Sequence, residues 1–186
     1  MLPTDPPFEP FPKIPRLTRE CVITEKLDGT NAQVFISDDG LTMKVGSRNR
    51  WLSLDQDNYG FCAWAVEHQD ELMKLGPGRH YGEWWGLGIQ RGYGLTEKRF
   101  SLFDVHRWGP GRQELPACCG VVPLISDGMF SEMSTNDAIA LLKERGSLAV
   151  PGYMNPEGIV IYHSASKQLF KKLIENDHLP KGTHGP

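Results

Sequence analysis

The chain has 186 residues, a formal charge of −3, 39% hydrophobic and 23% charged residues. These proportions suit one packed domain and exclude a disordered polyelectrolyte. Its 20 glycines and 14 prolines demand frequent turns, which argues against a helix bundle or coiled coil. A net-acidic chain has no overall basic surface, so a polyanionic partner must meet positive charge gathered locally.

Six prolines fall within residues 1–16 (Pro3, Pro6, Pro7, Pro10, Pro12, Pro15). They fix φ and remove backbone donors, predicting an extended arm over residues 1–20 laid on the domain, with Phe8, Phe11 and Ile14 as anchors. A single domain is expected over 21–186. The N-terminal stretch lacks the basic-then-apolar pattern of a signal peptide, and no apolar run approaches the roughly 20 residues of a membrane span. The expected setting is the cytoplasm, with no membrane partner. Cys21, Cys62, Cys118 and Cys119 form no CxxC pair and read as reduced thiols.

Strands are predicted over 21–26 and 31–36, separated by Leu27-Asp28-Gly29-Thr30. Asp38-Asp39-Gly40 signals a hairpin, and Leu41, Met43 and Val45 alternate as a half-buried strand. Apolar spacing of three and four predicts a helix over 58–75, ended by Gly76-Pro77-Gly78. Strands are expected over 79–85 and 99–105. A helix is expected over 135–145, capped by Ser134 or Thr135, with Gly146 past its end. Two last strands are expected over 158–162 and 168–173. Strands dominate, so the class is α+β with mostly antiparallel sheets flanked by helices.

The chain has no Walker-type phosphate loop, no intact dinucleotide fingerprint, no HExxH and no GxSxG. What stands out is Glu25-Lys26-Leu27-Asp28-Gly29-Thr30-Asn31, because lysine is depleted in strands and Lys26 ends one at the mouth of a turn. Further pieces follow in order: Ser47-Arg48-Asn49-Arg50, Tyr81-Gly82-Glu83, Phe100-Ser101-Leu102-Phe103-Asp104, Glu157-Gly158-Ile159-Val160 and Phe170-Lys171-Lys172-Leu173. Each has an ordinary reading of its own. Lys26 could be a solvated strand end, Arg48 and Arg50 surface charge, Glu83 a partnered carboxylate, Phe103 core, and Lys171 and Lys172 a solvated edge.

As an ordered set, KxDGxN, SRxR, YGE, the FD strand, EGIV and the lysine strand resemble the covalent nucleotidyltransferases: ATP-dependent DNA ligases, RNA ligases and mRNA capping enzymes. The resemblance spans residues 25 to 172. Tyr81 replaces the usual Phe, and the lysine strand reads FKKL rather than alternating. Asn31, two residues after the motif glycine, resembles the pattern of phage-type RNA ligases. The fold implied is the nucleotidyltransferase (ATP-grasp-like) domain, with no oligonucleotide-binding (OB) barrel expected after Lys172. The small C-terminal domain usual in such RNA ligases is also missing from the expectation, and a protein partner could supply it.

The resemblance implies ATP and Mg2+ or Mn2+ as cofactors and RNA as the polynucleotide, with DNA or a mixed nicked duplex as the alternative. Lys26 would attack the α-phosphorus of ATP and form a lysyl-AMP phosphoramidate. Lys171, with Lys172 beside it, would neutralise phosphate charge, and Glu157 would be a metal ligand. Glu83 would bind ribose hydroxyls, Arg48 ribose or a 5′-phosphate, Phe103 would stack on adenine, and Asn31 would lie near the phosphates. Glu25 falls where adenine recognition is largely by backbone. Arg48, Arg50, Arg91, Lys98 and Arg99 are candidates for a local basic groove. The competing expectations are a DNA nick sealer, a GTP-using capping enzyme and a binding module that keeps the pocket without turnover.

Overall fold

Alternating burial along the strands sorts the chain into two sheets that face each other, in a computed structural model describing residues 6–179. One sheet contains β1 (Glu20–Lys26), β7 (Leu124–Met129), β8 (Gly158–His163) and β9 (Gln168–Leu173) in the order β7-β1-β8-β9. The other contains β2 (Thr30–Ile36), β3 (Met43–Ser47), β4 (Gly78–Gly86), β5 (Lys98–Leu102) and β6 (Cys119–Val121) in the order β3-β2-β4-β5-β6. Every named pair is antiparallel except β5 with β6. The α+β class with mostly antiparallel pairing is therefore observed.

Three apolar layers hold the sheets. Behind β2 and β4, Val34, Ile36, Trp84 and Phe100 pack with Phe61 and Ala65 of helix α1 (Phe61–Glu67) and Leu72 of α2 (Gln69–Leu72). After the short α3 (Val105–Trp108), the long α4 (Glu132–Arg145) covers the other sheet's outer face. There Ala138, Ile139 and Leu142 meet Cys21, Ile23, Ile159 and Ile161. Between the sheets, Val22 and Leu27 meet Trp85, Tyr93, Val105 and Val122. Leu27 of this inner layer directly follows Lys26, the last residue of β1.

The helix expected over 58–75 is broken. It begins at Phe61, because the Asp57 carboxylate accepts from the amides of Asn58, Cys62 and Ala63. It breaks at His68, whose backbone leaves helical angles (φ −103, ψ 20). The His68 Nδ1 contacts the Trp64 carbonyl at 2.8 Å, and its ring stacks on that of Trp64. Helix α4 starts three residues earlier than expected, on a capping box between Ser131 and Ser134. The strand expected to run to 105 ends at Leu102, where Asp104 turns the chain into α3 by capping the Arg107 amide. Strands β6 and β7 have no counterpart among the predicted elements.

The expected anchors of the proline arm do not pack on the domain. Phe8, Phe11 and Ile14 are 89%, 84% and 81% exposed. The arm leads into β1, and β1 is already paired on both sides by β7 and β8, so no free sheet edge adjoins it. The first five residues of the arm, Pro3 among them, and residues 180–186 of the expected domain lie outside the described residues.

Candidate active site

Register decides which side chains share the gap between the sheets, because residues opposite one another on paired strands point to the same face. Lys26 sits opposite Gly158, and Thr24 opposite Val160, which is opposite Lys171. Lys26 and Lys171 therefore share the inner face of their sheet. Glu25 and Lys172 flank Ile159 in the neighbouring row, whose side chains face α4.

The Lys26 amine reaches Glu157 Oε2 at 2.6 Å, with both side chains largely sheltered (24% and 15% exposed). The opposite wall is Glu83 on β4. Its Oε1 accepts from the Gly29 amide at 3.1 Å and its Oε2 from the Asn31 side chain at 3.4 Å. Burial, chiefly, with Glu157 and Asp28 adding to it, pushes the Glu83 carboxyl up to about 7 against the opposing pull of Lys26 and the Gly29 amide. Gly29 permits this contact, since a Cβ there would lie 2.4 Å from the Trp84 carbonyl oxygen. Gly158 plays the same part across the sheet, where a Cβ would fall 2.2 Å from the Lys172 carbonyl oxygen.

Asn31 continues the site into a recess of about 140 Å³ lined with Gln33, Arg48, Tyr81 and Phe103. Phe103 is placed there by the turn after β5, its amide donating to the Tyr81 carbonyl at 2.9 Å. The structure thus gathers Lys26, Glu83, Glu157 and Asn31, and joins Arg48 and Phe103 to them through the recess. Lys171 stands on the same sheet face as Lys26.

Two expected site residues point elsewhere. Glu25 is 1% exposed, and its Oε2 accepts the amides of Leu148 and Ala149 at 2.8 and 3.1 Å. Burial raises its carboxyl, and hydrogen bonds from Ser147, Ala149 and Leu148 oppose that. The side chain anchors β1 to the loop before β8 instead of facing the gap. Lys172 donates to the Asn136 side chain of α4 at 2.7 Å, on the far side of the sheet. A one-residue step along a strand reverses the face, which is why Glu25 and Lys172 separate from Lys26 and Lys171.

The basic groove expected from Arg48, Arg50, Arg91, Lys98 and Arg99 is also divided. Arg50 donates to the carbonyls of Gln56 and Asp57, and Lys98 to that of Tyr59. Arg99 pairs with Glu97 and lies over the Trp85 ring. Arg91 pairs with Asp28 at 2.9 Å and donates to the Asn155 carbonyl and side chain at 3.0 and 2.8 Å. Tyr93, from the same loop, accepts the Asp28 amide at 2.8 Å.

The glycine-rich loop after β4 is therefore a clasp. It ties the turn that follows Lys26 to the segment that precedes Glu157. The expectation that Arg91 lines a basic groove overlooks it. The available signal was a tyrosine and an arginine among glycines, facing an aspartate in the Lys26 turn.

The residues fit a divalent cation shared with a nucleotide. Among the described residues no cluster of three or more His, Cys, Asp or Glu side chains could enclose a metal ion. Magnesium is commonly held by one or two carboxylates together with substrate phosphates. Glu157, at the edge of the gap, offers hard oxygen ligands of this kind.

Comparison with known proteins gives the same architecture. A family model described as RNA ligase matches residues 19–173. A lysine-to-methionine variant of Naegleria gruberi RNA ligase, solved with AMP and Mn, superposes with a TM-score of 0.57 at 21% identity, covering 84% of this chain and 50% of that one. An arginine-to-alanine variant of the same protein, solved with ATP and Mn, gives 0.55 at 20% identity, with 86% and 51% covered. The chain thus spans about half the length of these solved relatives. No curated protein matches. With the motif order, the two facing sheets and the family match in agreement, the chain belongs to the RNA ligase family.

Proposed function

We propose that this chain is the nucleotidyltransferase domain of an ATP-dependent RNA ligase, and that Lys26 carries AMP as a covalent phosphoramidate. The observation that supports it most is the sheltered amine of Lys26, 2.6 Å from Glu157 and facing Glu83 across the gap.

In this reading the Lys26 nitrogen attacks the α-phosphorus of ATP. A P–N bond forms, the bond to the bridging oxygen breaks, and pyrophosphate departs while the amine gives up its proton. Only the neutral amine is a nucleophile, so the ion pair with Glu157 must part before attack. Lys171 stands where its charge can offset that growing on the phosphate oxygens. Glu157 would hold Mg2+ or Mn2+, which supplies further charge neutralisation when bound.

Glu83, fixed by the Gly29 amide and Asn31, is set to accept from ribose hydroxyls, and Phe103 offers a ring for adenine. Arg48 lies in the recess where a strand's 5′-phosphate can meet it. The AMP then passes to that 5′-phosphate, and a 3′-hydroxyl displaces it to close a phosphodiester.

Incubation with radiolabelled ATP and Mg2+ or Mn2+, followed by a denaturing gel, tests the assignment. Covalent label from ATP and not GTP, abolished in Lys26→Ala, is the expected result. Label persisting in Lys26→Ala contradicts the nucleophile, and a wild-type chain that takes no label contradicts the enzyme.

A further inference from the structure

Outward from Glu83, the inner face of the β2 sheet continues past the recess into solvent. Asn31, Gln33 and Phe35 of β2 lie opposite Glu83, Tyr81 and Arg79 of β4, and Lys44 of β3 lies opposite Phe35. The Arg79 guanidinium is held over two rings, 5.1 Å from the Phe35 centroid and 5.3 Å from that of Trp51. It is oriented by a 3.0 Å bond to the Gln33 side chain. Trp51 and Tyr81 remain 43% and 53% exposed.

A single exposed aromatic needs no explanation. Here several lie on one strip, interleaved with cations and continuous with the recess beside Glu83. Among the described residues of β2, β3 and β4 on this face, Glu83 at the inner end is the one carboxylate. The protein as a whole is acidic, so this positive strip is a local departure from its average. Flat rings that accept stacking beside cations that meet phosphates are the two features single-stranded nucleic acid requires. A duplex buries its base faces and would leave the rings without a partner.

Resting on the ligase reading, we infer that Phe35, Lys44, Trp51, Arg79 and Tyr81 form a track that docks a single-stranded RNA end. Bases stack on Trp51 and Tyr81, and phosphates lie against Lys44 and Arg79. From Glu83 to Arg79 is four strand positions, about 13 Å, so a strand ending near Lys26 reaches the track within a few nucleotides.

The test uses the full chain and a fluorescein-labelled, 5′-phosphorylated single-stranded oligoribonucleotide, titrated by anisotropy at fixed salt. Trp51→Ala and Arg79→Gln are compared with wild type, and covalent labelling by ATP is measured in parallel. Each substitution should weaken RNA binding by about fivefold or more and leave ATP labelling unchanged. RNA affinity that ignores both substitutions overturns the track, while ATP labelling of the same samples keeps the ligase reading intact. A wild-type chain without label overturns the ligase reading, whereas the loss of RNA affinity in the two variants would still support the track. Should Trp51→Ala fail to fold, photocrosslinking of thiouridine-substituted RNA to the wild type decides. Crosslinks within residues 35–51 or 79–81 support the track, and crosslinks confined elsewhere overturn it.

Discussion

Glu83 is the residue whose environment departs most from that of a solvated carboxylate in the gap. Folding raises its carboxyl from the model-compound value of 4.5 to about 7, chiefly by burial. Between those values the folded protein keeps a proton that the unfolded chain has released, so stability falls as pH rises through that window and levels off above it. The group's share is up to about 3 kcal/mol. Glu83→Gln keeps an acceptor for the Gly29 amide and removes the titration. In urea denaturation at pH 5 and pH 8, wild type should lose stability relative to the variant as pH rises. Parallel behaviour of the two proteins would contradict the assigned environment.

At the scale of elements, the clasp from the loop after β4 couples the two segments that carry Lys26 and Glu157. Arg91 reaches both Asp28 and Asn155, so Arg91→Ala should leave the sheets intact and loosen the site. We expect ATP labelling to slow by about 10- to 100-fold, in line with the cost of small misplacements, with little change in melting temperature. Unaltered labelling would show that the clasp is not needed for positioning. Much at this scale was legible in the sequence. Apolar strand-like runs marked β1, β2 and β8, alternation marked β3, and the ordered motifs placed Lys26, Glu83, Glu157 and Asn31 together. Strands β6 and β7 were not legible, because Cys119-Gly120-Val121 and Leu124–Met129, which contains Ser126, Asp127 and Gly128, have little strand propensity of their own. They are strands through pairing with β5 and β1, a tertiary cause that overrides local preference. The faces of Glu25 and Lys172 were obscured for a related reason, since register to β8 sets them.

For the whole molecule, the site depends on two sheets joined through a shared apolar layer. Trp85 is central to the joint. It is 2% exposed, its indole N–H donates to Ser101 at 2.9 Å, and its ring meets Tyr93 edge-on at 4.9 Å. Trp85→Ala should cost about 3–5 kcal/mol and abolish ATP labelling even at temperatures where circular dichroism still reports folded sheets. Full labelling by a variant with lowered melting temperature would show that the gap does not depend on this filler.

The most direct measurement is peptide mapping of the ATP-treated protein by mass spectrometry under conditions that preserve P–N bonds. The account predicts a single AMP adduct on the peptide containing Glu25-Lys26-Leu27, lost at acidic pH where phosphoramidates hydrolyse. An adduct on Lys171, Lys172 or any other side chain, with Lys26 unmodified, would contradict it.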